Sequence, residues 1–194
     1  MNAINGNSII FSCKRVAGLD LSGSPKRPSG VAIVYNGVLV YADKLYFDNE
    51  IIDLLRNHNV CLVAIDAPLS HAKGYRRVDL KMKRRGFRVL PPGWRGMRML
   101  VARAIRIRII LESIGIRVIE THPTSALKNT GLRNLFKVLS NIINIENWDF
   151  INKGKDVVDA VIAASVAWAY VCNKAEKISD VDGEIFLLPQ VRKH

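Results

Sequence analysis

The chain has 194 residues, 49% of them hydrophobic and 24% charged, a balance that suits one folded domain and excludes a disordered chain. No apolar run approaches the roughly 20 residues a bilayer span needs. The opening MNAINGNSIIFSCKRVAG lacks the basic-then-apolar order of a secretory signal, so a cytoplasmic protein without membrane association is expected.

The formal net charge of +12 is concentrated in one stretch: His71 to Arg108 carries 13 Lys or Arg against one acid, Asp79, and the rest of the chain balances. A basic block on a neutral body points to a polyanionic partner, nucleic acid first. A solvated helix face would produce the same count. Cys13, Cys61 and Cys172 are odd in number and widely spaced, with no zinc pattern and no disulfide framework. They read as small buried hydrophobes in a reducing compartment.

In chain order, Lys14 to Leu21 reads as a first strand ending near Asp20, followed by the polar turn SGSPKRPSG. Val31 to Tyr35 and Val38 to Tyr46 flank Asn36-Gly37, a strong two-residue hairpin signal. A short helix is expected over Asn49 to Asn57. The continuous apolar run Val60 to Ile65 suits a buried parallel strand. Within the basic block, VLPPGWRG excludes regular helix or central strand. Met97 to Ser113 reads as a helix stopped by Gly115, and Ile116 to Ile119 as another buried strand. Helices are expected near Thr124 to Lys128 and Arg133 to Ile143. Lys155 to Cys172 is nearly all apolar and reads as a buried helix, and GEIFLLP adds a short strand. Three antiparallel strands followed by helix-linked parallel ones make an α/β fold, a mixed sheet with helices on both faces.

Asp20, Asp66 and Glu120 each close an apolar run, so neighbouring strands would gather them at the carboxyl edge of the sheet. Asp156 and Asp159, three apart on the buried helix, share one helix face. Each acid has an ordinary reading too. Asp20 and Asp66 could open turns, Asp156 could cap its helix with Asp159 favouring the dipole, and Glu120 could pair with an arginine of the basic block. Grouped carboxylates repel, and an oxygen-only set suits Mg²⁺ or Mn²⁺. Two such ions can clamp the attacking and leaving oxygens of a phosphodiester. Ser22 to Ser24 could hold a phosphate on backbone N–H groups or form a plain polar turn. His71 and His122 could shuttle protons, or His122 could simply bond its turn.

These residues resemble the domain-of-unknown-function family 429, predicted nucleases of the ribonuclease H-like superfamily. The matching pieces are AGLDLSGSPKRPSGVAI, VAIDAPLS, RRVDLKMKRRGFRVLPPG, IETHP, DVVDAVIAA and GEIFLLP, in order over most of the chain. The resemblance implies one ribonuclease H-like domain over 1–194 with a basic insertion at about 71–98. It implies metal ligands at Asp20, Glu120 and Asp159, with Asp156 and Asp66 as further catalytic acids. Arg76 and Asp79 match the family's Arg-x-x-Asp motif and would organise the site or contact substrate. The expected substrate-binding set is Ser22, Arg76, Arg77, Lys81, Lys83, Arg84, Arg85 and Arg88.

The leading expectation is thus a metal-dependent nuclease acting on DNA or RNA. A nucleic-acid-binding protein without catalysis is the first alternative. An actin-like nucleotide-phosphate enzyme is the second, weakened because those proteins pair two copies of the fold.

Overall fold

The structure is a computed structural model and describes residues 13–24 and 26–191. The chain opens with β1 (Arg15–Asp20), β2 (Ser29–Tyr35) and β3 (Val38–Leu45), paired antiparallel as the hairpin signal requires. Asn36 (φ 49°) and Gly37 (φ 80°) both take the left-handed conformation that lets a two-residue turn match strand twist. Helix α1 (Asp48–Asn57) leads to β4 (Leu62–Asp66). After the basic block come α2 (Arg77–Arg84), α3 (Arg98–Ser113), β5 (Arg117–Thr121), α4 (Pro123–Asn129) and α5 (Leu135–Ser140). The long helix α6 (Lys155–Val171) precedes the hairpin of β6 (Glu176–Asp180) and β7 (Gly183–Leu187). The strands form one sheet in the order β3-β2-β1-β4-β5-β7-β6. Strands β1, β4, β5 and β7 run parallel to their neighbours in that series.

Both faces of the central strands are covered, which is why those strands read as unbroken apolar runs rather than alternating ones. On one face Val16, Leu62, Ala64 and Ile119 pack with α6, together with Val78 and Met82 of α2 and Ala126 of α4. On the other, Ala17, Leu19, Val63 and Ile65 pack with Ile51 and Leu55 of α1 and with Ala104, Ile107 and Leu111 of α3.

Helix α6 lies unusually close to the sheet. A Cβ on Gly18 would sit 2.1 Å from the carbonyl oxygen of Ala160, and one on Gly30 would sit 1.9 Å from that of Asp156. Two glycines on adjacent strands therefore make the bed in which the helix rests, and the alanines of α6 keep its own surface low.

Helix α2, strand β6 and the 3-10 turn Asp149–Lys153 escape a reading of the sequence alone. Helix α2 has one short apolar pair, Val78 and Met82 at i and i+4, hidden among basic residues. Strand β6 buries a single residue, Ile178, so its alternation is too weak to see. The cysteine reading is corrected. Cys13 and Cys61 form a disulfide with a Cα–Cα distance of 5.8 Å, and Cys172 is exposed. Because β1 and β4 are parallel neighbours with Val16 beside Leu62, the residues just ahead of each strand meet, which spacing along the chain does not reveal. Cysteine usage therefore no longer argues for a reducing compartment. Among the described residues no helix is long and apolar enough to cross a membrane.

Gly18→Ala should lower the denaturation midpoint by the equivalent of about 1–3 kcal/mol, the usual cost of overpacking. An unchanged midpoint would mean that α6 can retreat freely. Reduction should also lower the midpoint, by about 4 kcal/mol in the chain-entropy treatment of a loop of 48 residues. A Cys13→Ser variant should be indifferent to reductant.

Candidate metal centre

Leu19 pairs with Ile65 across β1 and β4, so the next residues, Asp20 and Asp66, end neighbouring strands on the face toward α6. The glycine bed brings Asp159 of α6 down onto the same edge. One carboxylate oxygen from each of Asp20, Asp66 and Asp159 lies within 4.8 Å of the others. Asp156, one turn earlier, lines a recess with Asp20, Ser22, Gly23 and Arg27.

The electrostatics of this group are unfavourable as it stands. Burial, then Asp159 and Asp156, push the Asp20 carboxyl up to about 7. Burial, then Asp20 and Asp159, raise Asp66 well above the ordinary range. The nearest cation is Lys155, whose Nζ donates to Asp159 Oδ2 and whose own pKa is raised chiefly by that bond. Sequence reading passed over Lys155, although its position four residues before Asp159 was the available signal.

Glu120 stands elsewhere. It pairs with Ile65, not with Asp66, so its side chain leaves the opposite face from the aspartates. There Arg76 grips it with both terminal nitrogens, Nη2 to Oε1 at 2.5 Å and Nη1 to Oε2 at 2.8 Å, and the Leu69 N–H donates to Oε2 at 2.8 Å. Both oxygens are engaged, so the expected grouping of Glu120 with Asp20 and Asp159 is replaced by Asp66 with those two. Arg76 also bonds Asp79 through Nη2 at 2.8 Å and Nε at 3.2 Å. Burial opposes the Arg76 charge, but the bonds to Glu120 and Asp79 outweigh it and raise its pKa. Burial keeps Glu120 above the ordinary glutamate value despite Arg76. This buried trio borders Asp20 and Asp66 in one cleft of about 180 Å³ that also includes His122, Leu90 and Met97.

His122 caps α4: its Nδ1 accepts from the Ser125 N–H at 3.2 Å, and burial lowers its pKa. His71 is exposed. The Ser22 hydroxyl donates to the Ser24 carbonyl at 3.0 Å and accepts from the Ser24 N–H at 3.1 Å, so the turn uses it internally.

The basic block divides in space. Arg76 is buried in the trio. Arg77 and Lys81 face Asp180 at 3.3 and 3.1 Å, and Arg85 faces Glu176 at 2.6 Å, all on the β6–β7 hairpin. Lys83 lies 4.1 Å over the Tyr75 ring. Arg84, Arg88 and Arg95 are exposed and have no acidic partner among the described residues.

The seven-stranded mixed sheet with helices on both faces is the ribonuclease H-like fold. The chain is similar to RuvC of Thermus thermophilus, solved in complex with a Holliday junction substrate, with a TM-score of 0.51 and 12% identity over 80% of this chain and 94% of that one. A second structure of Thermus thermophilus RuvC has a TM-score of 0.49 at 11% identity, covering 82% and 96% of the two chains. No family model matches the sequence. No curated protein matches it either.

Arg76→Met should destabilise the protein by about 3–5 kcal/mol, because it strands two buried carboxylates. Adding Glu120→Gln should recover part of that loss in chemical denaturation. The pH dependence has the opposite sign from a salt-bridged acid. Asp20 binds its proton more tightly folded than unfolded, so its contribution is fully favourable below pH 3.8 and is lost as pH rises from there through about 7. In chelator, the melting temperature should show this fall across that window, and Asp20→Asn should flatten it.

Proposed function

We propose that this protein is a divalent-metal-dependent nuclease that hydrolyses phosphodiester bonds of nucleic acid at the Asp20, Asp66 and Asp159 cleft. The observation that carries the reading is the meeting of these three carboxylates within 4.8 Å, with Asp20 and Asp66 both pushed toward their protonated forms. One lysine does not compensate three acids. A small oxygen-seeking cation would, and an all-carboxylate donor set fits Mg²⁺ or Mn²⁺.

Asp20, Asp66 and Asp159 would hold the ion, with Asp156 at the border of the site. Bound there, a divalent cation supplies Lewis-acid polarisation of a phosphoryl oxygen and offsets charge that develops on it. The chain's own residues do the rest. Arg76, fixed by Glu120 and Asp79, is a positioning residue: it braces the wall of the cleft and keeps Glu120 away from the three aspartates. Lys83, Arg84, Arg88 and Arg95, on the basic segment of about 71–98, are free to take backbone phosphates. His122 borders the same cleft. The likeness to a RuvC solved on a branched DNA supports nucleic acid as the substrate and makes a junction one of the forms to try.

The test is a panel of labelled single strands, duplexes, four-way junctions and RNA, incubated in Mg²⁺, Mn²⁺ or EDTA. Cleavage should require metal and fall more than about 100-fold in Asp20→Asn and Asp66→Asn. Glu120→Gln should cost about 10–100-fold, as expected of a group that supports a site from outside. Arg84→Gln should weaken binding across all sequences and reduce the salt slope by about 1. Salt-sensitive binding without cleavage in any metal would instead make this a non-catalytic nucleic-acid-binding protein.

A further inference from the structure

A groove of about 600 Å³ runs between the start of α1 and the start of α3, outside the acidic cleft. Tyr46, Phe47 and Met99 line it, exposed by 51%, 60% and 61%. Three large apolar side chains side by side in water are costly, and the core has no use for them.

Phe47 also breaks a local rule. It is the N-cap residue of α1, a position that favours Ser, Thr, Asp or Asn, and its side chain makes no capping bond. Glu50 does the capping instead, accepting the N–H groups of Tyr46 at 3.2 Å and Phe47 at 3.1 Å. The backbone beneath both rings is therefore fixed while the rings face outward. A position at which local preference is overridden without a packing gain is where function is expected.

The groove is joined to the acidic cleft. Asp20 lines both that cleft and the recess beside it, and Gly23 lines both the recess and the groove. Three residues of chain span at most about 11 Å. The walls are tied together as well. Arg103 donates to the Ser22 carbonyl at 2.5 Å and to Asp48 at 2.8 Å, fastening the turn after Asp20 to the start of α1. Positive charge follows the same path. Arg27 lines the recess, and Arg106, 65% exposed, spends one terminal nitrogen on Asp48 and leaves the other donors of its fork free among the described residues.

We propose that this groove is a stacking site for an unpaired base of the nucleic-acid strand held at the acidic cleft, with Tyr46 and Phe47 as the platform and Arg106 as a phosphate contact. It rests on the nuclease reading and adds to it a preference for unpaired over fully duplex nucleic acid. In a duplex each base is already stacked on its neighbours, so its faces are closed to the two rings, whereas an unpaired base has a face to offer.

The full-length protein in EDTA would be titrated against a fluorescein-labelled oligothymidine strand and a duplex of equal length, with anisotropy as the readout. Tyr46→Ala with Phe47→Ala should weaken single-strand binding about 5- to 150-fold, the range for loss of one stacked base. The salt slope should be unchanged, since no phosphate contact is removed. Phe47→Trp should keep the affinity, and duplex binding should move less than about twofold. Equal single-strand binding by the doubly substituted, folded protein would overturn the groove and leave the nuclease reading standing. So would an equal loss on the duplex, or a variant whose sedimentation shows that the substitutions separate two copies of the chain. Wild-type protein that binds neither nucleic acid, in EDTA and again in Ca²⁺, would overturn both.

Discussion

The close approach of α6 to the sheet governs the rest of the molecule. Gly18 and Gly30 leave no side chain between the strands and the helix, and the backbone of α6 occupies the space a Cβ would take. That contact buries the alanine-rich face of the helix, and it also sets how far the acids of its first turns reach. Asp159 is brought to Asp20 and Asp66 because the helix is seated this low. At an effective dielectric near 20, two charges about 4 Å apart repel by on the order of 4 kcal/mol. The packing of the core thus buries these groups and forces them together, and both effects, burial first and then mutual repulsion, raise the carboxyls of Asp20 and Asp66.

A second buried network separates roles among the acids. Arg76 takes both oxygens of Glu120 and both oxygens of Asp79, and the Asp182 carboxylate accepts the N–H groups of Arg77 and Val78 at the start of α2. The basic helix is therefore moored at its start to the sheet edge and to the β6–β7 hairpin, and at its far end to the same hairpin through Arg85 and Glu176. Mooring consumes charge. Arg77, Lys81 and Arg85 face hairpin acids, so the surface that remains for a polyanion is smaller than the count of basic residues and lies toward Arg84, Arg88 and Arg95.

The likeness to RuvC is one of fold: at 12% identity the two chains share an arrangement of strands and helices, and the chemistry of this chain rests on its own side chains. What those side chains make is an oxygen-only cluster at the carboxyl edge of a mixed sheet, bordered by a hydrogen-bonded Arg–carboxylate trio and by an aromatic groove. Each of the three has a physical origin in a different packing event: the helix on its glycines, the arginine between a strand-end acid and an acid of α2, and the capping of α1 by Glu50 rather than by Phe47.

Much of this was legible in the residues themselves. The unbroken apolar run at 60–65, the short strand read at 116–119, the Asn36-Gly37 turn and the apolar helix beginning at Lys155 identify a mixed sheet covered on both faces, because burial on two sides leaves little polar alternation. The positions of Asp20 and Asp66 at strand ends were visible for the same reason. What the tertiary structure alone decided is register and pairing. Glu120 ends an apolar run as Asp66 does, yet it stands opposite Ile65, and a one-residue offset sends a side chain to the other face of a sheet. The Cys13–Cys61 disulfide and the ion pairs of the basic block have the same character. Local sequence determines which groups want burial or a partner; which partner each one meets depends on how distant strands align, and that alignment is set by the packing of the whole fold.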